Sequence, residues 1–192
     1  GNFYLYQEVT QIRVAVAAGL FLVGLSYLAK GEKRTYLLFS LAAACFHYSA
    51  FVLPLLTFFG SRPLTLRGRL VIGAIPLLGY LLFFGGFDPI ASLPIPWIQE
   101  KLWIYERLRD SGMAGDAINV FNIVYVMRLL VFYLLLWKYD VIKEQAPNLS
   151  LLLKVFAISY FCFTALGALP VMAFRYAELF GVVEIVMVPY LA

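Results

Sequence analysis

The chain is poor in charge. Of its 192 residues, 14% are Asp, Glu, Lys or Arg, against about 25% in an ordinary soluble domain. It has one histidine and two cysteines. His47 has no second histidine or acid three or four residues away, so no metal site is expected. Cys45 and Cys162 stand inside apolar runs without metal-ligand spacing and read as small core residues. Neither a GxxxxGK[ST] nor a GxGxxG pattern occurs, and no cofactor is expected. The net charge of +4 comes from basic residues in turns between apolar runs. That placement is a membrane-topology signal rather than a nucleic-acid one. Internal repeats and low-complexity tracts are absent.

What remains is apolar sequence. Hydrophobic residues make up 63% of the chain and aromatics 17%, and the mean hydropathy is +0.86. These values predict an all-α, polytopic transmembrane helix bundle, with apolar segments near 12–29, 35–60, 70–87, 118–137, 149–174 and 179–192. A full crossing takes about 20 residues, so five to six membrane segments are expected. The first residue is Gly and the last ends an apolar run. The expectation is a single transmembrane domain, 1–192, taken from a longer protein that has further N-terminal spans and a further C-terminal end. The polar connection 88–117 opens with Pro89, Pro94 and Pro96, which block helix. WIQEKLWIYERL then reads as an amphipathic helix, suited to lie on the bilayer surface or cap the bundle.

Charge placement separates two arrangements. If every segment crosses and 30–34 is inside, Lys30, Lys33, Arg34, Lys101, Arg107, Arg109 and Arg175 share one side. Arg13, Arg62, Arg67, Arg69, Lys138, Lys143 and Lys154 share the other, and the positive-inside rule gives no orientation. If 35–60 instead dips in and returns, turning near His47-Tyr48-Ser49, each arm has about 12 residues, or roughly 18 Å of helix. Nine basic residues (Lys30, Lys33, Arg34, Arg62, Arg67, Arg69, Lys138, Lys143 and Lys154) then fall inside, and Arg13, Lys101, Arg107, Arg109 and Arg175 fall outside. Re-entrant helices are allowed where they line a cavity. In that arrangement Arg13, His47, the Tyr105-Glu106-Arg107 helix and Arg175 are expected to converge on an outward-facing cavity.

Ionisable residues inside apolar sequence are site candidates by default. Arg13 opens its segment. It either snorkels to headgroups or grips a phosphate with its planar fork. His47 is either a hydrogen-bonded core residue or a catalyst, and Ser49 shares its surroundings. Arg128 lies near the middle of the 118–137 segment, where an arginine costs at least about 2.5–3.5 kcal/mol on insertion scales. It calls for an anionic partner, either Glu184 or a lipid phosphate, unless the span starts late and the side chain snorkels. Arg175 and Glu178 stand at i,i+3 spacing and can pair with each other. The aromatic clusters read as lipid-facing or interfacial.

The stretch from Gln11 to Leu56 has an Arg opening an Ala-rich span (Ile12, Arg13, Ala17), a short basic turn, and an Ala…Phe-His-x-Ser-Ala run (Ala44, Phe46, His47, Ser49, Ala50). Tyr105, Glu106 and Arg107 follow in a polar loop, then Phe174, Arg175, Glu178, Glu184 and Pro189. In these features the chain resembles the EpsG family, Wzy-like membrane proteins of bacterial exopolysaccharide and capsule clusters. The resemblance implies a multi-pass protein of the bacterial cytoplasmic membrane that joins polyprenyl-pyrophosphate-linked oligosaccharides, a polymerase-type glycosyltransferase. On that reading Arg13 and His47 are the catalytic pair. Arg128, Arg175, Tyr105, Arg107, Ser49 and Glu178 bind substrate. The expected partners are the lipid-linked glycan, membrane lipid and other polysaccharide assembly proteins. A transporter of a solute or glycan, and a non-catalytic subunit of an assembly complex, are the alternatives.

Overall fold

The computed structural model describes residues 2–86 and 118–191, with residues 96, 99, 100, 103, 104 and 107 between them; side chains are described from Ile12 onward. The described residues are helices and their connections, with no strand among them. The helices are α1 (Asn2–Ala29), α2 (Lys33–Phe46), a 3₁₀ helix (Tyr48–Phe58), α3 (Leu66–Phe84), α4 (Ile123–Trp137), α5 (Tyr139–Ile142), α6 (Leu149–Ala165), α7 (Pro170–Gly181) and α8 (Glu184–Met187), with a last 3₁₀ turn at Val188–Leu191. Ile12–Ala29 and Leu66–Phe84 are long and apolar enough to cross a membrane, with mean hydropathies of 1.9 and 1.5. Tyr48–Phe58, Ile123–Trp137 and Leu149–Ala165 are shorter apolar helices.

The chain forms two compact units. The first contains residues 1–64, 138–155 and 182–192. Its centre is α1 packed on α2. Ala17, Phe21, Gly24, Leu25 and Leu28 recur at three- and four-residue spacing and are buried, which places them on one face of α1. Gly24 makes the approach possible: a Cβ there would sit 3.1 Å from Phe39 Cβ and 3.3 Å from Tyr36 Cδ2. Beside it Tyr27 stacks on Phe39, ring centroids 5.4 Å apart.

The segment 35–60 does not run straight. α2 stops at Phe46, His47 takes an extended conformation (φ −144°, ψ 118°), and the chain resumes as the 3₁₀ helix. The two arms pack on each other. Tyr36 on the first arm donates its hydroxyl to the Leu53 carbonyl on the second, at 2.6 Å. At the far end Ser61 Oγ donates to the Ala29 carbonyl at 2.9 Å. A straight crossing would hold those two residues apart by the length of the segment, about 39 Å of helix. The chain therefore doubles back at His47, where the sequence placed the turn. Neither Gly nor Pro is needed there, because His47 stays in the β region that any L-residue adopts.

The same end of this unit gathers more chain. Ser150 Oγ donates to the Ser61 carbonyl at 2.8 Å, and the Leu64 N–H to Tyr139 Oη at 2.8 Å. Lys154, four residues into α6 from Ser150, reaches the Gly60 carbonyl with Nζ. Lys30, Lys33, Arg34, Arg62, Lys138, Lys143 and Lys154 all lie on or beside these joined segments.

The second unit contains residues 65–137 and 156–181. Tyr125, Tyr160, Phe163, Ala177 and Val120 form its core, with Tyr80, Phe83 and Leu129 packed around them. Tyr125 and Phe163 stack in parallel at 3.4 Å between centroids. Tyr80 Oη donates to the Val120 carbonyl at 3.0 Å and the Ile118 N–H to the Gly167 carbonyl at 3.0 Å. The C-terminal ends of α3 and α6 thus meet the start of α4, as helices running alternately up and down require.

Two boundaries differ from the sequence reading. The 118–137 segment becomes helical only at Ile123, because Asn119 Oδ1 accepts the Phe121 N–H at 3.0 Å and Asn122 Oδ1 accepts the Val124 N–H at 2.9 Å. The first of these turns competes with helix, and the second caps its start, the Asn122 carbonyl accepting the Val126 N–H at 3.0 Å. The 149–174 segment breaks after Ala165 and restarts at Pro170, whose missing N–H suits a first helical position. Arg175 and Glu178 therefore belong to a separate short helix, α7. The amphipathic loop helix falls largely outside the described residues; those described within it are helical.

Candidate functional site

The first unit holds Arg13, His47 and Ser49. His47 lies at the tip of the hairpin, buried at 8% exposure, its ring 5.2 Å from that of Tyr48. Ser49 is buried beside it. Arg13 is exposed. It stands four residues before Ala17, so it continues the stripe of α1 that faces α2. The antiparallel register brings the two to one level. From Gly24, which faces Tyr36 and Phe39, Arg13 lies about 16 Å along α1. From Tyr36, His47 lies about 16 Å along α2, and from Phe39 about 12 Å. By helix register Arg13 and His47 therefore lie at a similar level of the first unit. The imidazole there is buried and the guanidinium exposed.

The second unit holds Arg128, Arg175 and Glu178. Arg128 is in the second turn of α4 rather than at the centre of a span, because the helix begins at Ile123. Its guanidinium carbon is 5.2 Å from the Tyr125 ring centroid and 5.8 Å from that of Phe156. Beneath it is Gly181, the last residue of α7: any side chain at that position would collide with Arg128 Nη2 and crowd Ser159 Oγ. Ser159 is itself bound, donating to the Ala177 carbonyl at 2.6 Å. Two aromatic faces and a helix C-terminus, with its partial negative charge, thus hold the cation. Arg175 is half-buried and Glu178 exposed on α7, six and three residues before Gly181. Six residues are about 9 Å of helix, so Arg175 and the Arg128 guanidinium stand about two turns apart along α7.

Arg107 is exposed, its guanidinium 3.8 Å from the centroid of Trp103 one turn earlier. Tyr105 lies outside the described residues. Among the described residues no group of three or more His, Cys, Asp or Glu side chains is placed to hold a metal. The cysteines are unpaired thiols, and Cys45 is exposed rather than in the core.

Sequence reading missed the seat of Arg128. Tyr125 stands at i−3 on the same helix, a spacing that signals contact. Phe156, Ser159 and Gly181 come from distant segments, and no local pattern announces them. Tyr36 was also missed; its buried hydroxyl closes the hairpin that carries His47.

A family model described as the EpsG family matches residues 1–192, the whole chain. No curated protein and no solved structure matches.

Proposed function

On the premise that this chain belongs to the EpsG family and is an exopolysaccharide-related membrane protein, we propose that it is a polymerase joining polyprenyl-pyrophosphate-linked oligosaccharide repeat units. The observation that supports this reading is the hairpin broken at His47; counting along α1 from Gly24, which faces Tyr36 and Phe39, puts Arg13 near the same level. In a bilayer the hairpin is a re-entrant segment that enters and leaves on the basic side. The seven basic residues on or beside the joined ends of the first unit, with Arg67 and Arg69 close behind in sequence, then lie inside. Arg13 and the His47 tip are reached from the opposite, outer side.

The reaction is attack of an acceptor sugar hydroxyl on the anomeric carbon of a lipid-linked glycan. The new glycosidic C–O bond forms as the bond to the pyrophosphate oxygen breaks, and its electron pair leaves with the polyprenyl pyrophosphate. The hydroxyl proton needs an acceptor, and His47 supplies it as general base. Arg13 stabilises the charge that grows on the leaving pyrophosphate, for which a guanidinium fork is suited. Arg128 and Arg175 add positive charge for the anionic substrate, and Ser49, Tyr105, Arg107 and Glu178 contact its sugars. The protein works in the cytoplasmic membrane, alongside other polysaccharide assembly proteins.

The test is complementation of a polymer-negative strain with Arg13→Ala, Arg13→Lys and His47→Ala, with membrane levels checked and lipid-linked glycans analysed. Loss of polymer with single lipid-linked repeats accumulating, at normal protein level, is the expected result. Full polymer output from Arg13→Ala or His47→Ala would overturn the assignment in favour of a transporter or a non-catalytic subunit.

A further inference from the structure

The second unit carries a groove to which the proposed reaction assigns no role. It runs between α3 and α4, has a volume of about 640 Å³, and is lined from Leu66 to Leu77 on one side and by Tyr133, Leu136 and Trp137 on the other. Its α3 wall is a single face, residues recurring every three or four positions. Gly73 and Ala74 keep the floor low, and Tyr133 fixes one wall by donating its hydroxyl to the Gly73 carbonyl at 2.8 Å. Among the described residues Arg69 is the one charged member of the lining.

Three features define an occupant. The first is charge: Arg69 sits near the start of α3, Arg67 precedes it, and neither α3 nor α4 contains an Asp or Glu. The second is depth. From Arg69 the wall runs on to Leu77, about 12 Å of helix, within the hydrocarbon depth of one leaflet, about 15 Å. The third is level. Trp137 ends α4 at the same end as Arg69 and is 79% exposed, and an exposed tryptophan beside arginines marks the headgroup level of a bilayer. Below it the groove is apolar and opens on the exposed side chains of Leu70 and Leu77.

We propose that this groove seats an anionic phospholipid of the adjoining leaflet, its phosphate at Arg69 and one acyl chain laid along Gly73, Ala74 and Leu77. The guanidinium gives the phosphate a two-pronged donor. A floor that ends within one leaflet suits a diacyl lipid better than a long polyisoprenoid. The groove belongs to the second unit, whereas Arg13 and His47 belong to the first, and it stands whether or not the chain is a polymerase.

Trp137 is the built-in reporter. With Trp97→Phe and Trp103→Phe it is the sole tryptophan of the chain. The protein is reconstituted in phosphatidylcholine vesicles containing a minor fraction of phosphatidylglycerol, with either lipid brominated on its acyl chains. Brominated phosphatidylglycerol should quench Trp137 at an effective preference of about fivefold over brominated phosphatidylcholine at equal mole fraction, the factor carried by one basic residue at an anionic headgroup. Arg69→Lys should keep the preference and Arg69→Gln remove it. Ala74→Phe should weaken quenching by both lipids. Equal quenching by the two lipids in the protein that retains Arg69 overturns the proposal. So does displacement of phosphatidylglycerol by polyprenyl phosphate at comparable mole fraction, which would make the groove a seat for the carrier lipid.

Discussion

Ser61 Oγ donates to the carbonyl of Ala29 at 2.9 Å, so the segment that carries His47 ends where it began. The bond ties the basic turn at Lys30–Arg34 to Arg62 and, through Ser150, to the start of α6. The predicted consequence is topological. With Cys45 and Cys162 changed to Ser, single cysteines at Arg34 and Arg62 should respond alike to a membrane-impermeant maleimide in intact cells, both protected and both labelled after lysis. Labelling of one but not the other before lysis would restore a simple crossing of 35–60.

A second prediction concerns Tyr36. Its hydroxyl is buried and meets the Leu53 carbonyl at 2.6 Å. Tyr36→Phe keeps the ring and leaves that acceptor without this donor. A buried hydrogen-bonding group left unmet costs about 1–3 kcal/mol, so the purified variant should melt several degrees lower than the parent. An unchanged melting temperature would mean that packing of the two arms, not this bond, closes the hairpin.

Much of the first unit was legible in sequence because its logic is local. A basic turn, an arginine at a helix start and a lone histidine are read one segment at a time, and charge placement then favours a dip over a crossing. The break at His47 was located by that argument although no Gly or Pro marks it. The second unit was less legible. Its helix starts depend on the turn at Asn119, the cap at Asn122 and Pro170, which set where an apolar run turns helical. The seat of Arg128 depends on Gly181, Ser159 and Phe156, which meet only once the chain is folded.

That seat supports a third prediction. Gly181→Ala places a methyl group where Arg128 Nη2 lies, so it should displace the guanidinium from Tyr125 and Phe156 without altering any charge. If Arg128 contributes through its held position, Gly181→Ala should lower polymer output in the direction of Arg128→Ala. The double variant should then be little worse than Arg128→Ala alone, as residues acting through one contact are non-additive. Additive losses would separate the glycine from the arginine and assign Gly181 a packing role of its own.

The shared level of Arg13 and His47 is itself measurable. Packed helices stand about 8–10 Å apart, so in a Cys45→Ser, Cys162→Ser background, cysteines at 13 and 47 should be bridged by a bismaleimide of about 10 Å reach. A cysteine pair at 13 and 61 should not be bridged, because Ser61 is bonded to Ala29, about 24 Å along α1 from Arg13. The contrast between the pairs matters more than either yield. Bridging of 13 to 61 in place of 13 to 47 would show that the arms run the other way, and the imidazole and guanidinium could not then act on one substrate.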